Sequence, residues 1–235
     1  MERNELVLLR LSNQYLLRTG ERMEVLRAMN GFQAQFLSNA LHAMRLRCAA
    51  YDTAHAADSL VKSWTLRGTM HIFAEADLPL FLHTGCRYRS RDWTVPSFWN
   101  QRPNWALTPK RQAYFSDLII DALAQGPMTR EALKARCRAA GMTQAEEGSI
   151  FHPWGGGIRE LCERGFLCGT VSEEKAFRLC PAFTPMEEQD ALLEQTRRYF
   201  TNYGPASIRD AAYYFGSSQA EIKKRLARLP VKAAK

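Results

Sequence analysis

The strongest constraint on the fold is a pattern that occurs twice. Gly126-Pro127-Met128-Thr129-Arg130-Glu131-Ala132-Leu133 has a counterpart in Gly204-Pro205-Ala206-Ser207-Ile208-Arg209-Asp210-Ala211. Each copy follows an amphipathic stretch, residues 109–124 and 187–202, and opens a further helix with Thr129 or Ser207 near its cap. Each of these helices stops at a glycine, Gly141 or Gly216, and a polar start follows at Thr143 or Ser217. Helix, Gly-Pro turn, helix, turn and helix is the helix-turn-helix plan. In the middle of the chain a helix over Ile158 to Arg164 leads into Gly165-Phe166-Leu167-Cys168-Gly169-Thr170-Val171. A polar turn then precedes Ala176-Phe177-Arg178-Leu179-Cys180, which reads as a hairpin and so as a wing.

The predicted fold is therefore mainly α with short β-hairpins, arranged as tandem winged-helix units over residues 1–105, 106–183 and 184–235. The third unit is expected to stop short of its wing, because Pro230 to Lys235 stands where strand residues belong. The first unit fits more loosely. Helices are expected over residues 3–17 and from Glu21 to Met29, with another where Phe36, Leu37, Ala40, Leu41 and Met44 repeat on a helical period. Asp58 is read as the cap of a short helix into Trp64, Met70-His71-Ile72-Phe73 as a strand, and Leu78 to Leu82 as a helix. Residues 84–108 interleave Arg87, Arg89, Arg91 and Arg102 with Tyr88, Trp93, Phe98, Trp99 and Trp105. That segment either stacks on bases and follows a phosphate backbone, or it is a linker whose aromatics pack on neighbouring domains.

With 46% hydrophobic residues the 235-residue chain has ample apolar material for packed cores, and its net charge of +8 permits a polyanionic partner without requiring one. The six cysteines show no C-x-x-C spacing, which argues against a zinc site or a disulfide framework and for buried thiols. No signal-peptide pattern and no membrane-length apolar run is present, so a soluble, cytoplasmic, monomeric protein without metal or organic cofactor is expected.

Chemistry is most legible in Gln33-Ala34-Gln35, set in the run Met29 to Leu37. An i, i+2 step on a helix turns two side chains about 200° apart, so these carboxamides converge only on extended backbone or at a helix entrance. Gly31 is placed to permit that break. Two readings stand. Neutral groups that both donate and accept can hold one water molecule at a chosen spot, or the two glutamines simply cap backbone groups.

With these units, the glutamine triplet and the run Ser63-Trp64-Thr65-Leu66-Arg67-Gly68-Thr69-Met70-His71-Ile72-Phe73 aligned, the chain resembles the AlkZ/YcaQ family of bacterial winged-helix DNA glycosylases. The resemblance implies removal of alkylated purines from duplex DNA, with interstrand crosslinks as further substrates. It implies that Gln33 and Gln35 position the hydrolytic water, with Ala34 at the apolar middle position. Members of that family are typically longer and carry strand-rich C-terminal structure. Alkylation at N7 of guanine or N3 of adenine makes the base a cationic leaving group, so placing water and stabilising an oxocarbenium-like sugar suffices without a strong general acid.

Arg67 and His71 are candidate DNA contacts, with an Arg67–Asp77 ion pair and a satisfied strand histidine as the alternatives. Asn39 and Arg45 lie on the polar face of the helix after the triplet, and Lys223, Lys224 and Arg225 form a basic run suited to a phosphate backbone or to plain solvation. The Phe151 to Gly157 stretch lacks a nucleotide-binding spacing and reads as a tight turn. Two rival functions remain: a non-catalytic DNA-binding or regulatory protein, and a protein-interaction module.

Overall fold

The computed structural model describes residues 2–49, 59–172 and 174–230. In chain order the elements begin with α1 (Arg3–Asn13), α2 (Arg22–Ala28), β1 (Phe32–Gln33), α3 (Leu37–Arg45), β2 (Leu60–Trp64), β3 (Met70–Ala74) and α4 (Leu78–Phe81). They continue with α5 (Pro109–Leu123), β4 (Met128–Thr129), α6 (Arg130–Ala139), α7 (Gln144–Ile150), α8 (Gly156–Glu163), β5 (Leu167–Gly169) and β6 (Ala176–Leu179). They end with α9 (Glu188–Asn202), α10 (Ile208–Phe215) and α11 (Gln219–Leu226). The chain is thus largely helical with short antiparallel strands.

The chain divides into two compact units, one made of Met1–Gly85 with Thr184–Lys235, the other of Cys86–Phe183. The break after Phe183 coincides with the boundary read from the sequence, the first break falls after Gly85 and not at 105, and long-range contacts join the C-terminal segment to the N-terminal one. Within the first unit, Arg198 of α9 makes a bidentate pair with buried Asp77, at 2.7 and 2.9 Å, and donates to the Arg27 carbonyl at 3.1 Å. Asn202 and Tyr203 donate to the carbonyls of Ala28 and Met29 at the end of α2. These contacts fasten the C-terminal helices to the N-terminal segment. α9 packs on α2 and α4, and α10 and α11 close over it around Tyr199, Ala211 and Ile222. α1 buries no residue; its Arg10 and Asn13 donate instead to the carbonyls of Pro205 and Gly204.

In the second unit Trp93 and Trp99 are buried, and the Arg164 guanidinium lies 4.2 Å from the centre of the Trp93 ring. Arg164 also donates to the carbonyls of Ser90 and Asp92 and pairs with buried Glu160 at 2.7 Å. The aromatic segment therefore belongs to this unit as packing. Phe98, at 69% exposure, is its outlying ring. Thr108, Thr129 and Thr143 cap α5, α6 and α7, as polar residues at those starts favour. β6 pairs with both β5 and β4, confirming the hairpin read at 166–180. Arg111 beside Glu146 holds that carboxyl down at about 2. The turn before α8 is tight: a Cβ on Gly156 would lie 2.2 Å from the Ser149 carbonyl oxygen.

One element was misread in sequence. Leu60 to Trp64 is a strand, not a helix, because it pairs along its whole length with β3 in an antiparallel hairpin. Asp58 lies outside the described residues. Five of the six cysteines are buried thiols, and no helix among the described residues is long and apolar enough to cross a membrane.

Candidate active site

The glutamine pair sits where α2 hands over to a strand. The Gly31 N–H bonds back to the Leu26 carbonyl at 2.8 Å, closing the helix, and Gly31 takes φ +77°. A side chain there would put Cβ 2.6 Å from the Ile72 carbonyl oxygen, so only glycine lets the chain run this close to β3. β1 then pairs antiparallel with β3, Phe32 opposite Ile72 and Gln33 opposite His71. One residue on, the Ala34 N–H donates to the Met70 carbonyl at 2.7 Å, and Ala34 is fully buried. The backbone is still extended at Phe36 (φ −113°, ψ 117°), which begins α3. Ala34 is turned inward between Gln33 and Gln35, both exposed, and the chain bends at Gln35 and Phe36 into the helix.

The outer face of α3 extends this polar strip through Ser38, Asn39, His42 and Arg45, all exposed, while Ala40 and Met44 are buried beneath. Phe36, at 68% exposure, stands beside Gln35. Sequence reading assigned Phe36 to the core stripe of α3; its position as the residue before the helix places it outside that stripe.

Arg67 occupies the tip of the β2–β3 hairpin, in a left-handed conformation at φ 55°. It is exposed, and its guanidinium lies 5.6 Å from the centre of the Tyr214 ring. The alternative partner Asp77 is taken by Arg198. His71 is 5% exposed, with Nδ1 3.0 Å from the Thr69 carbonyl oxygen, so the buried ring does not support a direct contact with DNA. Desolvation holds its imidazole down at about 4, despite the Thr69 bond and with help from the charge on Arg67, which keeps it neutral at physiological pH.

The linkage follows from that depression. Between about pH 6.5 and 4 the unfolded chain binds a proton that the folded chain refuses, so stability is complete above 6.5 and falls as pH drops towards 4. The shift corresponds to about 3 kcal/mol. Urea unfolding at pH 7 and pH 4.5 is expected to show this loss in the wild type and a smaller one in His71→Phe.

On α11, Lys223 is exposed and Lys224 pairs with Glu221 at 2.8 Å. Arg225 turns inward instead. It is partly buried, its Nη1 has no hydrogen-bond partner among the described residues, and Glu188 and Glu221 supply nearby negative charge. A phosphate contact from Arg225 is not what this conformation presents.

The model of the family described as DNA glycosylase AlkZ-like matches residues 26–233, a span that includes this whole site. The chain belongs to that family. The interstrand DNA cross-link repair glycosylase of Streptomyces sahachiroi is 30% identical over 202 residues, spanning 79% of this chain and 52% of the relative. The solved structure of Streptomyces sahachiroi DNA glycosylase AlkZ has the same fold, with a TM-score of 0.73 at 24% identity, and covers 98% of this chain and 66% of that one. The chain thus spans about half the length (52%) of the curated relative that it matches.

Proposed function

We propose that this AlkZ-like chain hydrolyses the N-glycosidic bond of alkylated purines in duplex DNA. The observation that carries the reading is the pair of exposed carboxamides, Gln33 and Gln35, flanking buried Ala34, whose N–H is pinned to the Met70 carbonyl at the entrance to α3. Their Oε1 atoms accept from a single water and aim its oxygen at C1′. The C1′–N bond breaks with its electron pair passing to the base, whose positive charge is thereby cancelled. The water oxygen bonds to C1′ and its proton leaves to solvent. The DNA phosphates offset the positive sugar, so no carboxylic acid is required. Unhooking of interstrand crosslinks is the extension suggested by the curated relative's name.

Duplex contacts are assigned to Asn39 and Arg45 on α3, Arg67 at the hairpin tip, and Lys223 and Lys224 on α11, all exposed. His71, buried, and Arg225, turned inward, are left out of that set. The tandem winged-helix plan is read from element order. α5, β4, α6, α7, α8, β5 and β6 give helix, strand, helices and hairpin, α9 to α11 repeat the three helices, and β2–β3 supplies the hairpin of the N-terminal module. A monomer working in the cytoplasm without metal or organic cofactor fits this chemistry. The rival reading is a module that binds duplex DNA without releasing a base.

The lesion itself separates these readings. Without a general acid, a duplex carrying N7-methylguanine should lose its base at least ~100-fold faster than one carrying neutral hypoxanthine, because acid catalysis typically supplies 10²–10⁴. Equal release of both bases would contradict the mechanism. Salt-sensitive binding with no release of either would move the assignment to the non-catalytic binder.

A further inference from the structure

The register around the glutamine pair assigns a role to a buried residue. In an antiparallel ladder, hydrogen-bonded and non-hydrogen-bonded pairs alternate, and the second kind brings opposite side chains closer. Ala34 donates directly to the residue opposite it, Met70, so Ala34–Met70 and Phe32–Ile72 are the bonded pairs. Gln33–His71 falls between them and is the close kind, with the two side chains on one face and Cβ atoms about 4.5–5.5 Å apart. On the other flank of His71 stands Ser63, also opposite it and also buried, whose Oγ has no hydrogen-bond partner among the described residues. A polar row thus runs Gln33–His71–Ser63 across three strands, exposed only at Gln33.

The protonation of the ring follows from the shorter of the two contacts that Thr69 makes with Nδ1, the hydroxyl lying at 3.5 Å and itself donating to the Leu66 carbonyl. A carbonyl oxygen only accepts, so Nδ1, 3.0 Å from the Thr69 oxygen, carries the proton and donates it. A neutral imidazole in that tautomer has its lone pair on Nε2. We infer that His71 is the positioning residue for Gln33: Nε2 accepts from the Gln33 carboxamide N–H, which fixes the amide flip and turns Oε1 outward to the water. A free carboxamide rotates between two nearly equivalent orientations, and only one presents an acceptor. Burial of the ring keeps it an acceptor at neutral pH. This inference rests on the reading that Gln33 places water.

The test is a double-mutant cycle with His71→Phe, which keeps the volume and removes both nitrogens, and Gln33→Ala. In single-turnover release from an N7-methylguanine duplex, His71→Phe should be about 10-fold slower with unchanged DNA affinity. The double variant should be no slower than Gln33→Ala alone. His71→Gln, which restores an acceptor, should recover to within about threefold of wild type. Multiplying losses, or equal defects in His71→Gln and His71→Phe, would reduce His71 to a packing residue. A second arm needs no catalysis: in ¹⁵N-labelled protein the Gln33 side-chain amide signals should shift and exchange faster in His71→Phe. Unmoved signals would overturn the hydrogen bond. If Gln33→Ala alone keeps full activity, the water-placing assignment fails, while the amide signals still decide the His71 contact.

Discussion

Asp77→Ala should unfold at markedly lower urea than the wild type, with a loss of about 3 kcal/mol or more. Asp77 is 3% exposed and takes both guanidinium nitrogens of Arg198, itself buried, while Arg27 approaches at 3.4 Å. Removing the carboxylate strands a buried guanidinium that keeps, among the described residues, Glu194 at 2.8 Å and the Arg27 carbonyl. Breaking one side of a buried pair typically costs about 3–5 kcal/mol because the remaining charge stays desolvated. The effect should be structural and local to the C-terminal helices, so limited proteolysis should release 184–230 sooner in the variant. An unchanged urea midpoint would mean that Arg198 re-solvates freely and that α9 is held by its apolar contacts alone.

Gly31→Ala should damage both stability and base release. The position combines φ +77° with a Cβ that would sit 2.6 Å from one backbone atom, the Ile72 oxygen, and 3.0 Å from Cβ of Phe73. The left-handed conformation alone costs roughly 1–2 kcal/mol for a non-glycine residue. The clash adds to it, because a backbone oxygen in a paired strand cannot swing aside. Relief requires β1 to lift off β3, which dissolves the register opposite His71 and lets Gln33 wander. Gly141→Ala is the control: its φ is +83°, yet nothing lies within 4 Å of the added Cβ, so it carries the strain without the clash. The Gly31 variant should lose at least about twice the stability of the control and, unlike it, most of its release rate. Equal behaviour of the two would mean that the close approach at Ile72 is not needed.

The sequence showed its repeated helices because period, caps and glycine stops are local signals. Thr129 and Ser207 cap where their types suggested, and Gly216 closes α10 in the left-handed conformation. The extended entrance at Gln33-Ala34-Gln35 was legible for the same reason, since a glycine and an i, i+2 pair leave few ways to converge. Leu60 to Trp64 was not. Its five residues have burial without clean alternation, and what makes them a strand is the hairpin partner ten residues away, Ala74 to Met70. The Asp77–Arg198 clamp spans 121 residues and leaves no trace in either local segment. His71 stood open between a DNA contact and a satisfied strand histidine because polarity alone does not give depth, which is set by strands on both sides. Arg225 is comparable, one cation of a basic run read as a phosphate contact or a solvated face, which the packing of α11 turns inward.

Two neutral carboxamides, in the proposed chemistry, place the water. The deciding experiment is single-turnover release of N7-methylguanine from duplex DNA, comparing the wild-type chain with Gln33→Ala, Gln35→Ala and the double variant at matched DNA occupancy. The expected outcome is release by the wild type, a loss of about 10²-fold in each single variant, typical of removing a group that acts only in the transition state, and no loss of DNA affinity. Wild-type rates in the double variant would contradict it.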